Sequence, residues 1–227
     1  ESLGVFLPER VLTSRSVLKQ CRRHILLPLE RLTGIRSRRV AGTDEFSIDL
    51  AKRAVADCLS KSSYSANDID LIIAANISKQ DSAINYNVEP TTAVVLRKHF
   101  GLDGALAFDL GNACAGVFTA IFVVDELIRR GDIQRALVVS GEYITHLTDT
   151  AQREIEGLRD PRLACLTLGD AGICLLLEKG NSFNFIDLYT IPEHAELCVA
   201  HSAESHGAIM FTDSVGLAKA ALTEVVP

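Results

Sequence analysis

At 227 residues, with 48% hydrophobic and 23% charged residues, the chain has the make-up of a globular protein able to bury one large core or two small ones. Its net charge of −6 and pI near 5.5 argue against nucleic acid as the main partner. No signal peptide is visible, and the longest uncharged run, Leu110–Val124, is too short and too rich in small residues to span a membrane.

In chain order, Val11–Cys21 reads as a helix that ends before Pro28. Arg31, Arg36, Arg38 and Arg39 then crowd a short stretch, which is either a solvated loop or a basic patch for an anionic ligand. Phe46, Leu50, Ala54 and Val55 recur at helical spacing and predict a helix to Leu59. The apolar run Ile69–Ala75 suits a buried strand, and Pro90 opens a helix that runs to His99 and stops at Gly101. Ala105–Gly116 reads as a strand and tight turn, followed by a helix with Val117, Ile121, Val124 and Ile128 facing inward. Arg129, Arg130 and Gly131 mark its end. Arg135–Ser140 is a further buried strand, and Ala151–Asp160 a charged loop that is a solvated excursion or a flap. Leu163–Leu168, Ile173–Leu177 and Phe183–Tyr189 read as successive strands. Alternating strands and helices early, with consecutive strands late, indicate an α/β fold: a mixed sheet covered by helices on both sides.

The six cysteines, at 21, 58, 114, 165, 174 and 198, form no Cys-x-x-Cys pair, so neither a zinc site nor a redox motif is indicated. Reduced thiols in a cytoplasmic protein fit best. Cys114 stands apart, in the small-residue turn Gly111-Asn112-Ala113-Cys114-Ala115-Gly116 at the start of a helix. The positive pole of a helix favours a thiolate, and small neighbours let a substrate reach the sulfur. Free cysteine is also among the most buried residue types, so local physics alone leaves a nucleophile and a space-filler about equally placed.

Asp109–Gly116 resembles the nucleophile segment of the ketoacyl-acyl-carrier-protein synthase III group of the thiolase-like condensing enzymes. Leu7–Thr13 is similar to that group's first strand and turn, Leu32–Arg39 to its Thr-Gly-Ile-Arg signature, and Leu168–Gly172 to its late glycine turn. The four matches occur in order over about residues 3–180. The resemblance implies one half of a layered αβαβα fold with a five-stranded mixed sheet. It places the nucleophile-bearing half at 1–190, and at 191–227 the connection and first helix of a second half, from Asp213–Leu222. The family's histidine and asparagine belong to that second half; of the histidines here, His201 and His206 are the remaining candidates. Since the chain begins with Glu1, it is expected to be a trimmed or incomplete copy of a longer product.

The implied chemistry is acyl-thioester formation on Cys114, then condensation with a malonyl-type thioester, as in fatty acid or polyketide-type biosynthesis. The implied substrate contacts are Arg36, Arg162 and Gly116. Asp109 and Asp170 are expected to be structural turn residues. No cofactor is implied; the donor is a coenzyme A or acyl-carrier-protein thioester. A tryptophan that stacks on adenine in simpler family members is missing, with Pro28 near its place, which makes carrier delivery as plausible as coenzyme A. Homodimerisation is implied through the central sheet and Asn85–Thr92, where Glu89 replaces a usual apolar residue. Two alternatives stand beside this reading: acyl transfer to an oxygen or nitrogen nucleophile, and a non-catalytic partner subunit of a heterodimer.

Overall fold

The computed structural model describes residues 1–82, 85–180, 186–203 and 207–225. It divides into two compact units, interleaved along the chain. The first comprises Glu1–Glu9, Ala41–Tyr143 and Asp170–Leu188; the second comprises Arg10–Val40, Ile144–Gly169 and Tyr189–Pro227.

The first unit is built on strands β1 (Ser2–Phe6), β4 (Leu71–Ala74), β5 (Leu106–Asp109), β6 (Arg135–Glu142) and β7 (Ala171–Glu178), where β2 and β3 belong to the other unit. The sheet order is β1-β7-β6-β4-β5. β4 pairs in parallel with β5 and β6, and β7 runs antiparallel to β6 and β1. Alternation along the central strands divides the core into two faces. Ile72, Ala74, Leu137 and Val139 pack with helices α3 (Ser47–Lys61) and α4 (Thr92–Phe100). Leu71, Ile73, Ala136 and Val138 pack with α5 (Gly116–Arg130). A period of two sends successive side chains to opposite faces, so a strand covered on both sides reads as a continuous apolar run.

α3 lies directly on the sheet because both surfaces are small. Its inner face is Ser47, Ala51, Ala54 and Cys58, at spacings of three and four. Opposite lies a groove of Gly141, Gly172 and Gly4, where an added Cβ would meet the backbone of Ser47, Leu50 and Ala54. The predicted strands at Ile69–Ala75, Arg135–Ser140 and Ile173–Leu177 and the helices after Phe46 and Pro90 are all present. α4 starts at Thr92 behind an N-cap Thr91, two residues later than Pro90 predicts.

The second unit holds the antiparallel pair β2 and β3 (Val11–Thr13, Ser37–Arg39), α1 (Ser14–Lys19), α2 (Leu29–Thr33), α6 (His146–Glu154), the antiparallel pair β8 and β9 (Cys198–Ala203, Gly207–Thr212) and α7 (Ser214–Ala220). Its core is Val17, Ile25, Leu29, Leu147, Ala151, Ile155, Cys165 and Leu166. Three expectations are corrected here. The helix predicted from Val11 begins at Ser14, because Thr13 caps it and the preceding residues pair as β2. Leu163–Leu168 is 3-10 helical over Pro161–Thr167, started by Pro161 and by Asp160, whose side chain accepts from the Arg162 N–H. Its apolar run is a buried helical turn, which hydrophobicity does not distinguish from a strand. Of the strand predicted at Phe183–Tyr189, residues 183–185 lie outside the described residues, and 186–189 form no strand. Among the described residues no helix is long and apolar enough to cross a membrane.

Candidate active site

Cys114 sits in a single 3-10 turn, Ala113–Ala115, that joins the loop after β5 to the first residue of α5. Of the six thiols, Cys114 and Cys198 are exposed, while Cys58, Cys165 and Cys174 are buried. The residue before the nucleophile, Ala113, has φ of 41°, a left-handed conformation that non-glycine residues seldom adopt. Such geometry persists only where its surroundings hold it. Here Asn112 Nδ2 donates to Thr119 Oγ1 at 2.8 Å, and that hydroxyl donates to the Ala115 carbonyl at 3.0 Å. The Leu110 N–H donates to the Ala74 carbonyl at 2.8 Å, tying the loop to the end of β4.

Gly116 takes ordinary helical angles, and its lack of a side chain matters for contact. A Cβ there would stand 3.1 Å from the Ala75 carbonyl oxygen. It lets the helix start rest against the end of β4 and so sets the height of the cysteine. Of the predicted inward positions of α5, Val124 is buried and Val117 and Ile128 pack against the same core, with Gly116 and Ala120 as further buried positions. Phe118 is 67% exposed, so the uncharged first half of this helix leaves an apolar side chain uncovered in the chain as described.

Asp109, at the end of β5, accepts from the N–H groups of Thr92 and Ala93 at 3.2 and 2.9 Å and pairs with Lys79 at 2.7 Å. A carboxylate facing the positive pole of α4 is a structural cap. Lys79 is thereby part of the frame of the site; its lone charge gave no signal in the sequence. Its loop is held by Glu142, which accepts from the Ile77 and Ser78 N–H groups and both the Ser78 and Ser140 hydroxyls. Burial pushes the Glu142 carboxyl upward, and these donors act against the shift. Asp170, 2% exposed, accepts from the Ala41 N–H at 2.8 Å.

The other expected site residues lie in the second unit. Thr33 and Gly34 end α2: Gly34 takes φ of 73°, its N–H donates to the Glu30 carbonyl at 2.8 Å, and the chain turns outward. Arg36 follows with its side chain 88% exposed and Glu30 only loosely paired at 3.6 Å. With Arg15, Arg31, Leu18 and Leu29 it lines an open cleft of about 580 Å3. Arg15 was not singled out by the sequence; its place on α1 brings it there.

Arg162 is occupied. Its Nε and one terminal nitrogen grip Asp160 at 2.8 and 2.7 Å, and the other holds Glu154 at 2.9 Å. The Arg162 guanidinium holds the Asp160 carboxyl at about 2, below its ordinary 3.8. Asp160 also accepts from the Glu156 N–H at 2.9 Å. The predicted loop is thus partly the end of α6 and partly a turn closed on this clamp. His201 lies in β8, its ring 5.7 Å from that of Phe211, and His206 lies outside the described residues.

The family described as 3-oxoacyl-[acyl-carrier-protein (ACP)] synthase III matches residues 108–191, a stretch that starts in β5 and contains the Cys114 turn. The chain is a relative of these synthases. It is 34% identical over 175 residues to β-ketoacyl-[acyl-carrier-protein] synthase III of Thioalkalivibrio sulfidiphilus, covering 77% of this chain and 49% of that protein. It is 34% identical over 187 residues to the enzyme of Deinococcus deserti, covering 82% and 49%. The chain thus spans about half the length of the curated relatives it matches. The fold is that of the thiolase-like synthases. The Thermus thermophilus enzyme superposes with a TM-score of 0.77 at 24% identity, covering 97% of this chain and 67% of its own. The priming β-ketosynthase of the R1128 polyketide pathway gives 0.80 at 22% identity, covering 100% and 66%.

Proposed function

We propose that this chain is the nucleophile-bearing half of a condensing enzyme that forms an acyl-cysteine on Cys114 and extends the acyl group with a malonyl-type thioester. The observation that carries this reading is an exposed cysteine, held by a left-handed Ala113, at the first turn of a helix on the end of the parallel part of the sheet. The Cys114 thiolate attacks the thioester carbon, and the resulting oxyanion is held in part by the Cys114 backbone N–H at the helix start. Collapse expels the donor thiol and leaves the acyl-cysteine. Decarboxylation of the malonyl thioester releases CO2 and gives a carbanion. This attacks the acyl carbon, forms the carbon–carbon bond and returns the thiolate.

Arg36, with Arg15 and Arg31 at the cleft, is the contact for the anionic part of the donor, either coenzyme A or a carrier-borne phosphopantetheine. Arg162 serves by holding its turn. Gly116 shapes the acyl site by bringing α5 onto β4. The uncovered side of α5 around Phe118 is where the second half of the enzyme packs. A homodimer forms along β5, an edge strand whose Leu106 and Phe108 are 64% and 38% exposed. The exposed cysteine in an intact turn weighs against a non-catalytic partner subunit.

The test is product analysis with an acyl thioester and a malonyl thioester. The full-length protein is expected to release a 3-oxoacyl thioester, and Cys114→Ala to abolish it. The 227-residue chain alone is expected to give none, because missing transition-state donors cost factors of about a hundred to a thousand each. Undiminished product from Cys114→Ala would overturn the proposal.

A further inference from the structure

Two buried thiols beneath α3 take no part in the proposed chemistry. Cys58, in the last turn of α3, and Cys174, in the middle of β7, are both 0% exposed and share one core cluster. The backbone brings them together. Cys174 stands directly opposite Gly4 in the antiparallel β1–β7 ladder, where facing Cβ positions are about 4.5–5.5 Å apart. A Cβ built on Gly4 would fall 2.6 Å from the Cβ of Cys58. The two cysteines thus flank the Gly4 position, one from the helix and one from the strand; a disulfide needs their Cβ atoms roughly 3.5–4.5 Å apart. The Ser2 hydroxyl lies 3.1 Å from the Cys58 sulfur, which also donates to the Ser2 carbonyl at 3.7 Å.

We infer that Cys58 and Cys174 form a reversible disulfide, a redox modification site that ties α3 to β7. The hydrogen bond with Cys174, helped by Ser2 and backbone N–H groups, holds Cys58 at about 6 against the opposing effect of burial. The same contact pushes Cys174 well up. Cys58 is therefore the attacking sulfur and Cys174 the resolving one. With hydrogen peroxide as oxidant, the Cys58 thiolate attacks one oxygen, the O–O bond breaks, and the other oxygen leaves as water after taking a proton. Cys58 is then a sulfenic acid. The Cys174 sulfur attacks it, the S–O bond breaks, and the departing hydroxide takes the Cys174 proton as a second water. Two thiols have lost two electrons and the peroxide has gained them. Entry needs no global unfolding: Ser2 belongs to β1, an edge strand whose only strand partner is β7, and edge elements open locally.

The experiment is peptide mapping of the reduced chain after treatment with hydrogen peroxide, denaturation and iodoacetamide blocking. The expected product is the tryptic peptide 54–61 joined to 163–179, two hydrogens lighter than the sum, with fragmentation locating the bond on Cys174 rather than Cys165. Dithiothreitol reverses it, and the melting temperature rises by several degrees in the linked form, as closing a long loop requires. Cys58→Ala and Cys174→Ala each remove the linked peptide. Should either variant fail to fold, the wild-type map decides alone. Recovery of Cys58 and Cys174 as alkylated thiols while Cys114 is oxidised would overturn the inference, as would a bond to Cys165 or between chains.

Discussion

Replacing Arg162 with alanine should destabilise the unit that contains it, beyond any effect on a ligand. The guanidinium makes a two-point contact with Asp160, whose side chain is only 5% exposed. Holding that carboxyl at about 2 instead of 3.8 corresponds, at 1.36 kcal/mol per pH unit, to about 2 kcal/mol of folding free energy at neutral pH. Part of the depression comes from the Glu156 and Arg162 N–H groups, which Asp160 keeps, so the loss should fall below that figure, at about 1–2 kcal/mol. The looser contact with Glu154, 29% exposed, adds a few tenths at most. The folded pKa is depressed, so the stabilisation is complete above about pH 4 and disappears as the pH falls through about 2. Urea unfolding of wild type and Arg162→Ala should therefore differ by about 1–2 kcal/mol at pH 7, and the two should converge toward pH 2. Arg162→Lys should recover less than half, because an ammonium cannot reproduce the planar fork. In a double-mutant cycle with Asp160→Asn the two losses should overlap instead of adding. Unfolding midpoints unchanged by Arg162→Ala, alongside a tenfold loss of acyl-coenzyme A affinity, would refute the clamp and restore Arg162 as a ligand contact.

Other consequences are as direct. Gly172→Ala would drive a methyl group into the Leu50 carbonyl beneath α3 and should cost about 1–3 kcal/mol or more in denaturant unfolding; an unchanged midpoint would mean that α3 has room to lift. Cys114 should be the thiol most rapidly alkylated by sub-stoichiometric iodoacetamide, with exposed Cys198 as the control for accessibility alone. Faster labelling of Cys198 would remove the argument from the helix start. The intact protein should be a dimer at micromolar concentration by light scattering, and Leu106→Asp on the exposed edge strand should shift it to monomer. A wild-type monomer would rule out the seam along β5.

The parts of the fold legible in the sequence were those dictated by burial on both faces or by caps. β4, β6 and β7 are continuous apolar runs, and α4 and α5 end at glycine with basic residues in the last turn. The second unit was read less well. Two of its strands, β2 and β3, have three residues each, and paired strands of that length carry no periodic signal. Leu163, Cys165 and Leu166 are as apolar as a strand, and only the Asp160-Pro161 start identifies a helical turn. At the site, the small residues around Cys114 foretold a tight turn, while the support from Lys79, Asn112 and Thr119 depends on contacts across loops. Arg162 was read through resemblance as a ligand contact. Asp160, two residues before it, takes up that guanidinium instead.

The central claim is that Cys114 accepts an acyl group, and the most direct measurement is intact mass followed by peptide mapping after incubation with an acyl thioester. The account predicts one acyl adduct per chain, located on Cys114, released by hydroxylamine and missing from Cys114→Ala. An adduct on Cys198 or any other residue, or equal acylation of Cys114→Ala, would contradict it.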